Sequence, residues 1–253
     1  MYAAERQQRI IALARQDGRV EVTALADDLG VAAETVRRDL TALERRGSLR
    51  RVHGGAIPVE RLEVEPTLAT RFSRLADVKR RIAARALDEL PAGGSVILDA
   101  GSTTQAVAEL LPTDLQLTVI TNSLSAAATL SANPGVTLYL LGGRLRGTTG
   151  AAVGDWALSP LADVVVDVAV VGTNGISVAR GLTTPDQSEA LVKKAMVAAA
   201  RKCVVLTDSS KTGDDHLHRF AQVADVDVVI TDADIDDDVA AELRAAGPEV
   251  VTA

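Results

Sequence analysis

Apolar side chains recur at helical spacing over the first 46 residues and switch to short, nearly continuous runs after residue 91. The chain therefore reads as a small helical head followed by a larger body of alternating strands and helices. In residues 3–16 the apolar positions Ile10, Ile11, Leu13 and Ala14 lie behind a charged first turn, and Asp17-Gly18 supplies a stop. Residues 20–22 read as extended. Thr23 is placed to cap a second helix over 24–29, whose Leu25, Ala26 and Leu29 face inward, and Gly30 breaks it. A third helix over 33–46 repeats Val36, Leu40 and Leu43 and ends at Gly47. Residues 47–57 fit two short strands around a glycine tip, Gly54-Gly55.

Residues 58–66 mix prolines with Glu60, Glu63 and Glu65 and carry no apolar period, which predicts a linker. Over 67–90 a single interrupted helical segment places Phe72, Leu75, Val78, Ile82, Ala86 and Leu90 on one face and ends before Pro91. Beyond it, strand-like runs at 95–98, 117–120, 136–140, 164–171, 203–206, 226–230 and 250–251 alternate with helical runs at 105–111, 124–130, 189–200 and 237–246. That alternation predicts an α/β body with a mainly parallel sheet and ligands beyond the carboxyl ends of its strands. The expected division is a head over 1–57, a linker and bridging helix over 58–90, and an α/β domain over 91–253.

Charge changes the picture once it is divided. The net charge of −7 disfavours a non-specific nucleic-acid binder, yet residues 1–57 carry ten arginines against eight carboxylates, a surplus of two. The remainder, with 17 basic and 26 acidic side chains, carries −9. Within 34–57, six arginines face Glu34, Asp39 and Glu44, so the positive field lies over the third helix and the strands after it. Five aromatic residues in the whole chain give no stacking platform for single strands. Cys203 is the single cysteine, which excludes a disulfide framework and a thiol metal cluster, and no metal or cofactor is expected. No apolar run reaches the roughly 20 residues of a membrane span, and the expected location is the cytoplasm.

With Val36, Leu40 and Leu43 committed to a core, the third helix presents Glu34, Thr35, Arg37, Arg38 and Thr41 on its other face. Thr35 and Arg37 or Arg38 suit base edges in a major groove of double-stranded DNA, where Arg bonds guanine bidentately and Thr touches a thymine methyl. Thr41 completes that face, and Arg50, Arg51 and His53 follow on the hairpin, whose two glycines would bring backbone close to the duplex. The plainer alternative is that these arginines pair with Glu34, Asp39 and Glu44 on a solvated face.

The ends of the predicted strands are unusually polar. They read Asp99-Ala100-Gly101-Ser102-Thr103-Thr104, Thr121-Asn122-Ser123, Gly142-Gly143-Arg144, Gly172-Thr173-Asn174-Gly175 and Asp208-Ser209-Ser210-Lys211. Taken singly, each is explained by a helix cap, a turn or a surface cation. Together they suggest a pocket for a phosphorylated ligand, with Ser102, Thr103, Thr104 and Lys211 around the phosphate. Asp99, Asn122 and Asn174 are then available to hydroxyls.

Residues 1–57 resemble the DNA-binding head of DeoR-family transcriptional repressors, through Arg6, Ile10, Val22, Leu25, Ala26, the run Glu34-Thr35-Val36-Arg37-Arg38-Asp39-Leu40 and Arg51-Val52-His53-Gly54-Gly55-Ala56. One departure is Ala32, where the family pattern has a serine or threonine to cap the third helix. The resemblance continues through the strand ends, Gly181-Leu182-Thr183-Thr184, Glu189, Lys193 and Met196 to an effector domain similar in fold to ribose-5-phosphate isomerase. It implies a winged helix-turn-helix head, a phosphate held by Ser102, Thr103 and Lys211, a homo-oligomer and a phosphosugar inducer, with fructose-operon regulators as the nearest subgroup. The rival expectation is a sugar-phosphate isomerase carrying a DNA-binding head. Such an enzyme needs a carboxylate base near the phosphate, and residues 171–175 offer neutral side chains, although Asp186 and Glu189 are unplaced by sequence alone.

Overall fold

The computed structural model describes residues 3–45, 48–52, 54–58 and 68–253. The chain divides into two compact units, residues 1–65 and 66–253. In the first, helices α1 (Ala3–Asp17), α2 (Val22–Leu29) and α3 (Ala33–Arg45) accompany three short strands, β1 (Val20–Glu21), β2 (Leu49–Val52) and β3 (Gly55–Pro58). The strands form one sheet in the order β1-β3-β2, with antiparallel pairs throughout. Ile10, Ala14, Leu25, Val36, Leu40, Leu43 and Leu49 close the core, so the 3.6-residue period of α3 does decide its buried face. Together these make a winged helix-turn-helix.

Three local expectations are corrected here. The second helix begins at Val22, one residue before Thr23, with extended Glu21 in the capping position and no side-chain cap. Pro58 closes β3 and does not open the linker. Gly54 takes the left-handed turn at φ 71°, whereas Gly55 answers to packing: a Cβ there would stand 1.9 Å from the Val20 carbonyl oxygen, inside the β1–β3 pair. The expected helix end at Gly47, the linker over 59–66 and the His53 contact lie outside the described residues.

The second unit opens with α4 (Leu68–Ser73) and α5 (Ala76–Ala86). The expected single helical segment is broken at Leu75, which sits at φ 55° and leaves both Phe72 and Leu75 exposed; Ile82 and Ala86 are fully buried as the period demands. Next come β4 (Gly93–Leu98), α6 (Ser102–Leu110), β5 (Gln116–Thr121), α7 (Leu124–Leu130), β6 (Val136–Leu140), β7 (Arg144–Leu145), β8 (Ala152–Val153) and α8 (Asp155–Ala162). The chain continues through β9 (Val166–Gly172), β10 (Gly175–Ser177), β11 (Gly181–Thr184), α9 (Gln187–Ala198) and β12 (Ala200–Leu206). It ends in β13 (His218–Ala221), β14 (Val228–Thr231), α10 (Asp237–Ala245) and β15 (Glu249–Thr252).

Seven strands form one parallel sheet in the order β15-β14-β12-β9-β4-β5-β6. Both faces are covered, which is why its strands read as continuous apolar runs: Val168, Val170, Val204 and Leu206 pack to one side, Ala169, Val171, Cys203 and Val205 to the other. The chain winds outward from β4 through β5 to β6, then returns to the far side of β4 with β9 and winds out to β15. Strands β4 and β9 are therefore neighbours whose connections leave in opposite directions, the point where such sheets open a crevice. A small antiparallel sheet, β10-β11-β13, follows the end of β9. Gly175 permits it, because a Cβ there would come within 2.1 Å of the Asp214 carbonyl oxygen.

Candidate functional site

On the head, α3 starts without a side-chain cap: the Ala32 carbonyl accepts from Thr35 N at 2.9 Å and Val36 N at 3.3 Å. Thr35 is half-buried in that first turn, and Arg37 and Arg38 are exposed on it. Arg37 pairs with Glu34 at 3.2 Å, but side-chain exposures of 55% and 72% leave this pair weak and easily exchanged for another anion. Asp39, which sequence counted among the surface carboxylates, is buried instead. It accepts from Arg6 Nε at 2.5 Å and Gln7 Nε2 at 2.9 Å, fastening α1 to α3.

Thr41 and Arg51 brace the wing to the helix. The Thr41 hydroxyl donates to the Arg37 carbonyl at 2.9 Å, and Arg51 Nη1 donates to the same carbonyl at 3.2 Å and to Thr41 Oγ1 at 3.3 Å. The Arg51 amide donates to Glu44 at 3.0 Å. Arg50 is half-buried on β2. The resulting surface is an arginine-bearing helix turn with a wing strand locked beside it.

In the second unit, a cleft lies at the β4/β9 crevice and is lined by Gly101, Ser102, Thr103 and Thr104 after β4, Gly172, Thr173 and Asn174 after β9, and Lys211 after β12. Arg71 of α4, Glu189 and Lys193 of α9, and the apolar Ala100 and Leu206 complete the lining. Extended Gly101 delivers the chain into α6, so the hydroxyl-bearing first turn of a nine-residue helix faces the cleft with backbone N–H groups that have no partner within the helix. Opposite it, the turn Asp208–Lys211 is clamped from β14: Asp232 accepts from Ser209 N at 2.7 Å and from Ser209 Oγ at 2.8 Å. Lys211 Nζ stands 3.5 Å from Asp208. Burial pushes the Lys211 ammonium below the usual lysine range, and Asp208 offsets part of that push. Burial would raise the Asp208 carboxyl, but Lys211, the Ser210 hydroxyl and Lys79 outweigh it and hold it low.

Two of the buried carboxylates at this end of the sheet, Asp99 and Glu189, have cationic partners. Asp99 accepts from Lys193 Nζ and from Gly172 N at 3.0 Å, so it bridges the β4 and β9 ends from behind the cleft. Burial raises its carboxyl, opposed by Lys193. Glu189 takes Arg146 Nη1 at 2.7 Å and the Thr149 hydroxyl.

Five polar strand ends were expected to converge, and three do. Asn122 is buried as a brace: its Oδ1 accepts from Ala100 N at 3.0 Å and its Nδ2 donates to the Ala152 carbonyl at 3.2 Å. Ser123 caps α7, its hydroxyl accepting from Ala126 N at 3.2 Å. Gly142, Gly143 and Arg144 leave edge strand β6, outside the cleft lining. Gly143, at φ 127°, turns the chain into the β7–β8 ribbon where a Cβ would meet the Val153 carbonyl oxygen at 2.5 Å, and exposed Arg144 reaches Ser188 at 3.4 Å. Thr173 lines the cleft, with its hydroxyl donating to the Gly175 carbonyl at 2.7 Å, while Gly175 itself begins β10. Arg71 and Lys193 were absent from the expected site. Lys193 carried a readable signal, a charge on the buried stripe of α9 with Glu189, Val192 and Met196, whereas Arg71 carried none.

The chain matches two family models, the DeoR-like helix-turn-helix domain over residues 6–61 and the DeoR C terminal sensor domain over residues 75–233. It is 40% identical over 251 residues to the HTH-type transcriptional regulator GlpR of Haloferax volcanii, a match covering 99% of this chain and 98% of that one. It is 30% identical over 233 residues to the glycerol-3-phosphate regulon repressor of Escherichia coli K12, covering 92% of each. Ribose 5-phosphate isomerase A of Methanocaldococcus jannaschii matches 55% of each chain, at 21% identity and a TM-score of 0.40. Among the described residues no helix is long and apolar enough to cross a membrane.

Proposed function

The chain belongs to the DeoR family of transcriptional regulators, and from that premise we propose that it represses sugar-metabolism genes as a homo-oligomer and is released from its operator by a phosphorylated sugar. The observation that carries this reading is the cleft at the β4/β9 crevice, where the first turn of α6 faces Lys211. Backbone N–H groups, Ser102, Thr103, Thr104 and an ammonium are the donor set for a phosphate dianion. Thr173 and Asn174 stand across the crevice, in reach of sugar hydroxyls. On the head, Thr35, Arg37 and Arg38 take base edges and phosphates, with Arg50 and Arg51 on the wing.

Sensing is favoured over isomerisation by the state of the carboxylates. Glu189, the one carboxylate lining the cleft among the described residues, is held by Arg146 and Thr149, and an acid so engaged is poorly placed to take a carbon-bound proton. Release then follows from linkage: a ligand that prefers the arrangement with low DNA affinity moves the population off the operator.

The test is titration of the protein, bound to its own upstream DNA at fixed salt, with fructose 1-phosphate, fructose 6-phosphate, glycerol 3-phosphate and the unphosphorylated compounds. Glycerol 3-phosphate is included because a relative is named for that regulon. One phosphate ester is expected to release the DNA while its parent alcohol does not. Lys211→Ala should keep DNA affinity and lose that response, whereas Arg37→Ala should weaken DNA binding by roughly 1–3 kcal/mol with ligand binding intact. DNA binding indifferent to every phosphate would reject the sensor assignment.

A further inference from the structure

The parallel sheet of the second unit ends in β15 on one side and β6 on the other, and the two edges differ. β15 opens on Glu249 directly after Pro248, a charge and a proline of the kind that discourage a further strand. β6 has neither. Val136-Thr137-Leu138-Tyr139-Leu140 is uncharged, as is the whole run from Asn133 to Gly143, and among the described residues no strand pairs with its outer side. Tyr139 is 59% exposed on one face of the strand and Leu140 51% exposed on the other. Leu124 at the start of α7 and Leu145 on β7, both exposed, lie at the same end of the sheet. A partner lying on the sheet would cover one of these faces, whereas one that adds a strand covers both.

The backbone gives the register of that strand. Leu117 N donates to the Gly135 carbonyl at 2.9 Å, and Leu141 N donates to the Thr121 carbonyl at 2.8 Å. Alternate residues of a parallel strand bond to one neighbour, so these two bonds turn Gly135, Thr137, Tyr139 and Leu141 toward β5. The amides and carbonyls of Leu138 and Leu140 then point out of the sheet. Val136 points the same way, but its amide already donates to the Asn133 carbonyl at 3.1 Å. Two outward residues separated by one are self-complementary: in an antiparallel copy, Leu138 of each chain exchanges both bonds with Leu140 of the other. Tyr139 then meets its own copy at the centre, as a non-hydrogen-bonded pair.

We propose that β6 is the contact between two copies of this chain, paired antiparallel about a two-fold axis at Tyr139, so that their parallel sheets join edge to edge. The proposal rests on the homo-oligomer reading and names its surface. A second copy is the occupant because the edge complements itself, as a two-fold contact requires. Charge selects the same place: residues 58–253 carry −9, so two copies approach most easily through a face without charge. The strand pair alone is smaller than the roughly 1,200 Å² of a stable interface, and exposed Leu124 and Leu145 widen it. A two-fold pair also suits the palindromic half-sites that helix-turn-helix dimers read.

The experiment uses the full chain. Its own cysteine, Cys203, is 3% exposed and burial pushes its thiol up to about 12, so an introduced surface cysteine reacts alone. Opposed residues of a non-hydrogen-bonded pair have Cα atoms about 4.5 Å apart, within disulfide range. Tyr139→Cys is therefore expected to give a covalent dimer under mild oxidation. Thr137→Cys, on the same face, should not, because the register sets it opposite Leu141 and roughly 14 Å from its own copy. Leu140→Pro removes an outward amide and spares the bonds to β5, so it should raise the dimer dissociation constant at least tenfold in sedimentation equilibrium, with the circular dichroism unchanged. Should that variant fail to fold, the two cysteine variants decide. A wild-type oligomer in which both cysteines cross-link alike, or neither does, would move the contact off β6 and leave the homo-oligomer reading standing. A monomeric wild type would remove both.

Discussion

Asp39 shows how one side chain changes role between sequence and structure. Its place in a run of charges, between Arg38 and Leu40, suggests a solvated partner for the neighbouring arginines, yet it is 5% exposed and receives Arg6 and Gln7 from α1. Replacing it by Ala strands the Arg6 guanidinium, whose side chain is 12% exposed. Breaking a buried pair from one side costs roughly 3–5 kcal/mol, against a total of only about 3–9 kcal/mol for a head of this size. Asp39→Ala is therefore expected to unfold the head selectively, seen as loss of exchange protection over α1–α3 with the second unit unchanged. Arg6→Met combined with Asp39→Leu should recover most of that loss, because no charge is then left unpaired. If the single variant keeps full protection, the pair has been overvalued.

At the scale of elements, the break between α4 and α5 is the most consequential local feature. Leu75 occupies the left-handed region at φ 55°, where a residue with a Cβ is held at a cost of order 1–3 kcal/mol. Glycine there would relieve strain but loosen the unfolded chain, so Leu75→Gly is expected to be neutral within about 1 kcal/mol, while the same change at exposed Ala84 inside α5 should destabilise by about 1 kcal/mol. Comparable losses at both positions in urea denaturation would show that the turn carries no strain. The break also marks the limit of what periodicity reveals. The strands of the large sheet and the helices α3, α7 and α10 were legible because one or two apolar faces run unbroken for several residues. By contrast, β10, β11 and β13 have only three or four residues each, too few for alternation to stand out, and depend on Gly175 meeting a carbonyl more than 35 residues downstream in the chain. Three of the five polar strand ends gather at one cleft, and which three was not legible in the sequence. Asn122 and Thr173 are both polar residues at strand ends in the sequence, and the strand order, with β5 away from the β4/β9 crevice, separates a brace from a lining residue. Arg71 was hidden because its contribution depends on a helix end fixed by Lys79, eight residues on.

For the whole molecule, two compact units in one chain are subject to a thermodynamic symmetry, because linkage makes their binding equilibria reciprocal. If a phosphate ester lowers operator affinity by some factor, operator DNA must lower affinity for that ester by the same factor, since both describe one coupling free energy. The expected coupling is of order 1–3 kcal/mol, or roughly 5- to 150-fold, and a ligand cannot exceed its own differential affinity for the two arrangements. Ester affinity measured with and without saturating operator should therefore differ by the factor found in the DNA release titration, at one salt concentration, because the head's phosphate contacts make DNA affinity itself strongly salt-dependent.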